Sequence, residues 1–245
     1  MDSSKTIAIF EANPPSPVFE NKSAQASWFA DILAGIDPKL TVRTYRVFSN
    51  EFPVSLDSID GIIVTGSSKE VYDGDSWITT TAGWVKQAQR QGIPVLGVCF
   101  GHQIIAQAFG GTVTPNPKGR EMGTCSISLV DAAAGDPLFR GLPKTVSVQE
   151  SHKSAVVKLP KAAKVLGENK YGVQAFRMGE DKTWGVQFHP ELDAEVLKKV
   201  VEYRKDILRE EGLDAQKIAQ GIHPTQQARG ILKNFLDIVY ENTKS

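Results

Sequence analysis

Three short runs rich in apolar and β-branched residues, KTIAIFEA (Lys5 to Ala12), DGIIVTG (Asp60 to Gly66) and IPVLGVC (Ile93 to Cys99), constrain the fold of this chain most. Helix-length segments separate them, the pattern left by a parallel sheet whose connections cross over as helices. DGIIVTG has no polar alternation, as a strand covered on both faces requires. Between the runs, QASWFADILAGI spaces Trp28, Ile32 and Ile36 for a helix face, and LTVRTYRVF reads as a further strand. DSWITTTAGWVKQAQRQG spaces Trp77, Thr81, Trp84 and Val85 for a second helix that stops at Gly92, and GHQIIAQAFGG follows Cys99 as a third. Beyond Gly111 the strands are shorter and more alternating: TCSISLV, TVSVQESH, GVQAFRM and TWGVQFH. Two helical segments close the chain, DAEVLKKVVEYRKDILREEG and PTQQARGILKNFLDIVYEN. The expected fold is α/β, an open, mostly parallel central sheet with helices on both faces, built by residues 1–245 as a single domain.

Charge narrows the partners. Lysine plus arginine equals aspartate plus glutamate, 28 against 28, so no net basic field holds nucleic acid or an anionic membrane. No apolar run reaches the length of a membrane span. The amino terminus MDSSKTIAIFEA lacks the basic and apolar regions of a secretory leader, and two cysteines make no disulfide framework, which points to a reducing, cytoplasmic setting. The expected partner is a small molecule or another protein.

One of those cysteines stands where chemistry is done. In VLGVCFGHQ, Cys99 lies at the junction of an apolar strand and a helix, with Gly97 and Gly101 two residues to either side. That is the layout of a nucleophile elbow, where a sharp turn exposes the reactive atom and glycines admit the close approach of strand and helix. The positive end of the helix favours a thiolate there, and the Phe100 N–H is placed to donate to an oxyanion. Cys125, inside TCSISLV, has no such context and reads as an ordinary small buried apolar residue.

A thiolate that attacks an amide needs an acid to protonate the leaving nitrogen, and the chain offers four histidines. His102 sits in the elbow helix and reads as support for the turn; His152, in QESHKS, follows a strand toward the pocket; His223 precedes Pro224 at an exposed helix start. His189 ends an apolar strand in GVQFHPE, with Glu191 two residues on to orient the imidazole. Cys99, His189 and Glu191 form the expected catalytic triad.

GVCFGHQ together with GVQFHPE resembles the class I glutamine amidotransferases, whose Cys-His-Glu glutaminase domains release ammonia from glutamine through a γ-glutamyl thioester. The resemblance runs over most of the chain and implies the flavodoxin-like fold of that family. VTGSSKEVYD takes the place of the family's oxyanion loop, and GREMG and QESHKSAV are similar to substrate-holding stretches of its GMP synthetase branch. By that resemblance Gly66 gives the second oxyanion N–H, Gln103 contacts bound glutamine, and the segment Glu150 to His152, with Ser151 and His152 as its binding residues, approaches its α-amino or α-carboxylate end. The loop departs from the common Gly-Gly-Pro form, with Thr65, Gly66 and Ser67 instead, so Gly66 or Ser67 is the donor. The chemistry calls for no cofactor and no metal.

No phosphate-binding glycine loop accompanies these motifs, so a synthetase partner would be a separate subunit. The chain is also similar to free-standing members of the branch, among them plant γ-glutamyl peptidases that act on glutathione conjugates. Three functions follow: a glutaminase that supplies ammonia to an acceptor or synthetase, a free-standing hydrolase of γ-glutamyl peptides, or a silent regulatory module. The intact triad argues against the last. The segment Leu192 to Arg229 is longer than a minimal glutaminase needs. Val196, Val200, Tyr203, Ile207 and Leu208 are spaced to pack, with Lys198, Lys199, Glu202 and Lys205 toward water, and the segment is expected to border the active-site mouth.

Overall fold

The computed structural model of the protein describes residues 4–14 and 25–242, so Met1 to Ser3 of the leader reading lie outside it. In chain order the first half runs β1 (Thr6–Glu11), α1 (Gln25–Ile36), β2 (Thr41–Arg46), β3 (Gly61–Val64), α2 (Ser76–Arg90), β4 (Val95–Val98) and α3 (Phe100–Ala108). The second half adds β5 (Thr112–Pro115), β6 (Glu121–Leu129), β7 (Thr145–His152), β8 (Ser154–Lys158), β9 (Ala163–Asn169), β10 (Gly172–Met178) and β11 (Thr183–Val186). It closes with α4 (Ala194–Tyr203), α5 (Lys205–Glu210), α6 (Ala215–Gly221) and α7 (Gln226–Glu241).

Among the described residues, nine strands form one sheet in the order β2-β1-β3-β4-β11-β10-β9-β6-β7. From β2 to β11 every neighbouring pair is parallel, and from β11 to β7 every pair is antiparallel. The parallel part has the doubly wound order in which ligands sit at the carboxyl ends of the strands.

Alternation within buried strands builds the two covered faces. In β1, Ile7 and Ile9 pack with Phe29 and Leu33 of α1 and with Leu232 and Phe235 of α7. Ala8 and Phe10 point the other way, toward Trp77 and Val85 of α2 and Phe100 and Ile104 of α3. Each such fully buried large side chain contributes about 1.5–3 kcal/mol, which commits the register of β1 on both faces at once.

Four expectations are corrected. The buried face of α1 is Ala26, Phe29 and Leu33, while Ile36 is exposed, because α1 lies over β1 with its Phe29 stripe down. The long helix expected after Asp193 divides at Arg204, where the backbone leaves helical geometry (φ −95°, ψ 7°). Tyr203 and Ile207 are exposed rather than packed, and the apolar side that is buried consists of Ala194, Leu197, Val201 and Leu208. The sequence reading also passed over β5, β8, β9 and α6. β5 and β8 pair only with each other among the described strands, outside the ladder of the main sheet, and α6 buries no residue fully, so neither leaves a strong periodic signal.

Candidate active site

Strand β4 delivers Cys99 to the carboxyl edge of the parallel sheet, where the Cys99 N–H still donates to the Val186 carbonyl at 2.9 Å. The chain then turns sharply: Cys99 has φ 53° and ψ −101°, and with Asn50 it is one of two non-glycine residues of positive φ among those described. Such a backbone costs of order 1–3 kcal/mol and persists where the surroundings over-determine it. The glycines show what determines it here. A Cβ at Gly97 would lie 2.4 Å from the Gly101 carbonyl group, and one at Gly101 would lie 2.3 Å from the Val64 carbonyl oxygen. Cys99 caps α3 without using its side chain for capping, so the sulfur is left for other work at the positive end of the helix. The Phe100 N–H belongs to the first turn, whose amides have no helical acceptor.

His189 reaches the sulfur from β11, anchored by its own N–H to the Gln149 carbonyl at 2.9 Å. Its Nδ1 lies 2.7 Å from Glu191 Oε1, which leaves Nε2 for Cys99. Burial alone would strip the imidazole of its proton, but the Glu191 carboxylate and the Cys99 sulfur, both in contact with it, hold its pKa well above the usual histidine value. All three side chains are buried: Cys99, His189 and Glu191 expose 6%, 5% and 3% of their surface, and Cys99 lines a cavity.

The loop after β3 closes the site from the opposite side. A Cβ at Gly66 would stand 3.0 Å from His189 Cε1, so the loop lies against the ring. Thr65 fixes it: its hydroxyl accepts from the Ala12 N–H at 3.0 Å and donates to the Gly66 carbonyl at 3.0 Å. Ser67, whose hydroxyl donates to the Ala12 carbonyl at 2.7 Å, lines the same cavity of about 380 Å³ as Cys99, Phe100 and Gln103.

The residues expected to hold substrate gather here, each with commitments of its own. Gln103 donates its amide to the Ser154 carbonyl and to Gln187 Oε1, both at 3.1 Å. Ser151 Oγ accepts from Arg204 at 2.9 Å. His152 lines the cavity, yet both ring nitrogens face protein: Nδ1 is 2.9 Å from the Ser154 carbonyl, and Nε2 is 3.1 Å from Glu121 and 3.3 Å from Glu150. Burial disfavours its charge, but the two carboxylates prevail and raise its pKa to about 10. Burial pushes the Glu150 carboxyl up to about 7. Glu121, Glu150 and His152 also have the composition of a metal site, their ligand atoms within 4.8 Å of one another, but the His152 proton already bridges them. His102 is buried against Phe176 with ring centres 4.8 Å apart, and burial lowers its pKa to about 3, so it supports the elbow as a neutral ring. His223 is exposed. Cys125 is partly buried, and burial drives its thiol far above the usual range.

Gln25 was not foreseen at the site, and Tyr203, Arg204 and Ile207 were foreseen only as part of a segment bordering the mouth. Gln25, the first residue of α1, donates to Glu191 Oε1 at 2.8 Å, and α1 is seated there by Glu11, which accepts from the Ala26 N–H at 3.3 Å. Tyr203, Arg204 and Ile207 line the cavity with Arg120, so the helical extension does border the mouth. No sequence signal marks Gln25; Arg120 and Glu121 fall within the GREMG stretch.

The family model described as glutamine amidotransferase class-I matches residues 22–205. γ-Glutamyl peptidase 5 of Arabidopsis thaliana is 30% identical over 201 residues, covering 78% of this chain and 80% of its own. A glutamine-hydrolyzing GMP synthase of Thermosipho africanus is 45% identical over 101 residues, 41% of this chain but 19% of the synthase. In structure, a glutamine amidotransferase of Thermotoga maritima superposes with a TM-score of 0.77 at 21% identity, covering 98% of this chain and 99% of that one, which establishes a shared fold.

Proposed function

The chain belongs to the class I glutamine amidotransferase family, and we propose that it hydrolyses γ-glutamyl amide bonds as a single-domain cysteine hydrolase, through a thioester on Cys99. One observation carries this reading: the strained Cys99 elbow faces His189, whose other nitrogen is bonded to Glu191 at 2.7 Å. The Cys99 sulfur attacks the γ-carbonyl carbon, and the carbonyl electrons move to oxygen. The Phe100 N–H and the Gly66–Ser67 loop hold that oxyanion. Collapse expels the amine, which takes the His189 proton and leaves the γ-glutamyl thioester. His189 then deprotonates water for attack on the thioester, releasing glutamate and restoring the sulfur. Gln103, Ser151 and His152 hold the glutamyl group.

With glutamine the leaving amine is ammonia, which a separate synthetase subunit could accept. A second reading, hydrolysis of γ-glutamyl peptides without a partner, is favoured by coverage: the γ-glutamyl peptidase match spans 80% of that protein, whereas the GMP synthase match spans 19% of the synthase. The test is to incubate the protein alone with glutamine and with a panel of γ-glutamyl peptides, and to measure glutamate. Release that is lost on alkylation of Cys99 supports the reading. A thioester trapped on Cys125, or release only after a synthetase and its substrates are added, refutes respectively the nucleophile and the autonomy.

A further inference from the structure

The cluster of Glu121, Glu150 and His152 sets two buried carboxyl groups against one imidazole. Glu121 stands opposite His152, and Gly123 opposite Glu150, on the antiparallel pair β6–β7, so the ladder itself brings the three side chains together. They are 2%, 0% and 4% exposed in the order Glu121, Glu150, His152. The one proton on His152 Nε2 is directed at Glu121, 3.1 Å away. Glu150 Oε2 lies 3.3 Å from the same nitrogen, yet neither Glu150 oxygen makes a hydrogen bond among the described residues. A fully buried carboxylate without a donor is costly, and this one converges on the atom that Glu121 already shares.

The surroundings are those of a metal-ligand set. His152 Nδ1 faces the Ser154 carbonyl at 2.9 Å, the contact that fixes an imidazole to present Nε2. Glu121 is oriented by Asn169, which donates to Oε1 at 2.6 Å, and by Gln174, which donates to Oε2 at 2.9 Å. Tetrahedral ligands at zinc distances of about 2.0–2.1 Å stand about 3.3–3.4 Å apart. The two separations from Nε2 to carboxylate oxygen, 3.1 and 3.3 Å, are close to that edge, and the three ligand atoms all lie within 4.8 Å of one another. His152 also lines the cavity that holds Cys99, which gives an ion a way in.

We propose that Glu121, Glu150 and His152 bind a zinc-class divalent cation, which takes the place of the Nε2 proton and leaves a fourth position for solvent from the cavity. The proton that bridges the cluster is one cation that fits it; a divalent ion balances both carboxylates, and the displaced proton leaves to solvent. One imidazole with two carboxylates selects a late first-row ion over magnesium or calcium, which prefer shells made of oxygen alone. Bound there, the ion ties β6 to β7 beside the cavity and stabilises the fold. The site shares no residue with Cys99, His189 and Glu191, so it does not rest on the chemistry assigned to them.

The test uses full-length Cys99→Ala/Cys125→Ser protein, which has no thiol left to capture metal, stripped with a chelator and titrated with Zn²⁺ or Mg²⁺ by calorimetry. One Zn²⁺ should bind per chain and raise the melting temperature, while Mg²⁺ at the same concentration gives no shift. Adding Glu150→Gln, which keeps the volume and removes a ligand, should weaken Zn²⁺ binding about 100-fold or more, and Asn169→Ala, which only loosens Glu121, about tenfold. His189→Gln, which alters the triad instead, should leave the affinity unchanged. Melting temperatures without metal show which variants are folded, and Asn169→Ala carries the test should Glu150→Gln fail to fold. Absence of Zn²⁺ binding, an equal response to Mg²⁺, affinity that survives both Glu150→Gln and Asn169→Ala, or affinity lost with His189→Gln overturns the proposal.

Discussion

Two buried imidazoles near Cys99, those of His189 and His152, are bonded to carboxylates, and their surroundings differ in one respect. His189, after β11, bonds to a single carboxylate through Nδ1 and keeps Nε2 for the sulfur. His152, at the end of β7, has Nδ1 on a carbonyl and Nε2 between Glu121 and Glu150. Both are held above the ordinary histidine pKa, and the cause is carboxylates in each case. What separates them is the uncommitted nitrogen. A histidine whose two nitrogens are both satisfied inside the protein has a fixed charge and no route for a proton; one with a free nitrogen against a sulfur can pass the proton on. Burial and a raised pKa therefore do not identify a catalytic base until every polar atom of the ring has been accounted for.

The largest expected effect tests that distinction directly. His189→Ala should lower kcat on any γ-glutamyl substrate on the order of 10⁴-fold, as loss of a triad base does elsewhere, with the melting temperature little changed. Turnover surviving within tenfold would mean that another group moves the proton, and the contrast with His152 would collapse. Glu191→Gln is expected to cost about 100-fold, because the amide can still position the ring but no longer stabilises its cation. Its pH profile should also show the His189 step moved to lower pH, since the carboxylate is what holds that pKa up.

For His152 the expected loss is chiefly in stability. His152→Gln leaves Glu121 and Glu150 buried without their cation, and breaking such a group costs about 3–5 kcal/mol, readable by denaturant unfolding. Turnover of the folded fraction should fall about tenfold or less, because the remaining groups still line the cavity. The sign with pH follows from the shifts. His152 is raised from 6.5 to about 10, so its contribution is complete below 6.5 and fades as the pH rises through 10. Glu150 is raised from 4.5 to about 7, so its native form also binds its proton more tightly and stability again falls as the pH rises, here between 4.5 and 7. Unfolding free energies measured across this range should decline in both windows, and the alkaline decline should be missing in His152→Gln. If it persists in the variant, the clamp described here is not its source.

The two imidazoles were not equally legible in the sequence. GVCFG and GVQFHPE stand out because each packs its constraints within a few residues: a Cβ at Gly97 or Gly101 would come within 2.4 or 2.3 Å of backbone at the turn they flank, and Glu191 lies two residues from the ring it bonds. The parallel half of the sheet was legible for the same reason, since strands buried on both faces write uninterrupted apolar runs. The His152 clamp joins β6 to β7, and the Arg204 break depends on how α4 and α5 dock over the cavity, so neither has a local signature. Tyr203 and Ile207 looked like packing residues because helical spacing records a stripe and not what lies opposite it. Gln25 shows the limit most clearly, for its partner is 166 positions away and nothing beside it in sequence refers to Glu191.

The smallest expected effect comes from Gln25 itself, and it sharpens the comparison from the Glu191 side. Glu191 Oε1 receives both His189 Nδ1 at 2.7 Å and Gln25 Nε2 at 2.8 Å, while Oε2 has no hydrogen-bond partner among the described residues. The carboxylate is thus oriented by two bonds on one oxygen, and the imidazole supplies one of them. Gln25→Leu keeps the volume and removes the amide, so Glu191 retains its bond to His189 and loses only the second constraint. A neutral donor to a carboxylate contributes about 1.5–3 kcal/mol at most, and here it acts on a positioning residue rather than on the reacting atoms. Turnover should fall about threefold to tenfold with KM nearly constant, and Gln25→Asn, whose shorter amide stops short of Oε1, should resemble Gln25→Leu. A loss as large as that of Glu191→Gln would show that the carboxylate is useless without Gln25. The single free nitrogen of His189 would then be a product of α1 docking as much as of the His-Pro-Glu turn, and the difference between the two imidazoles would have to be sought in the helices that cover them.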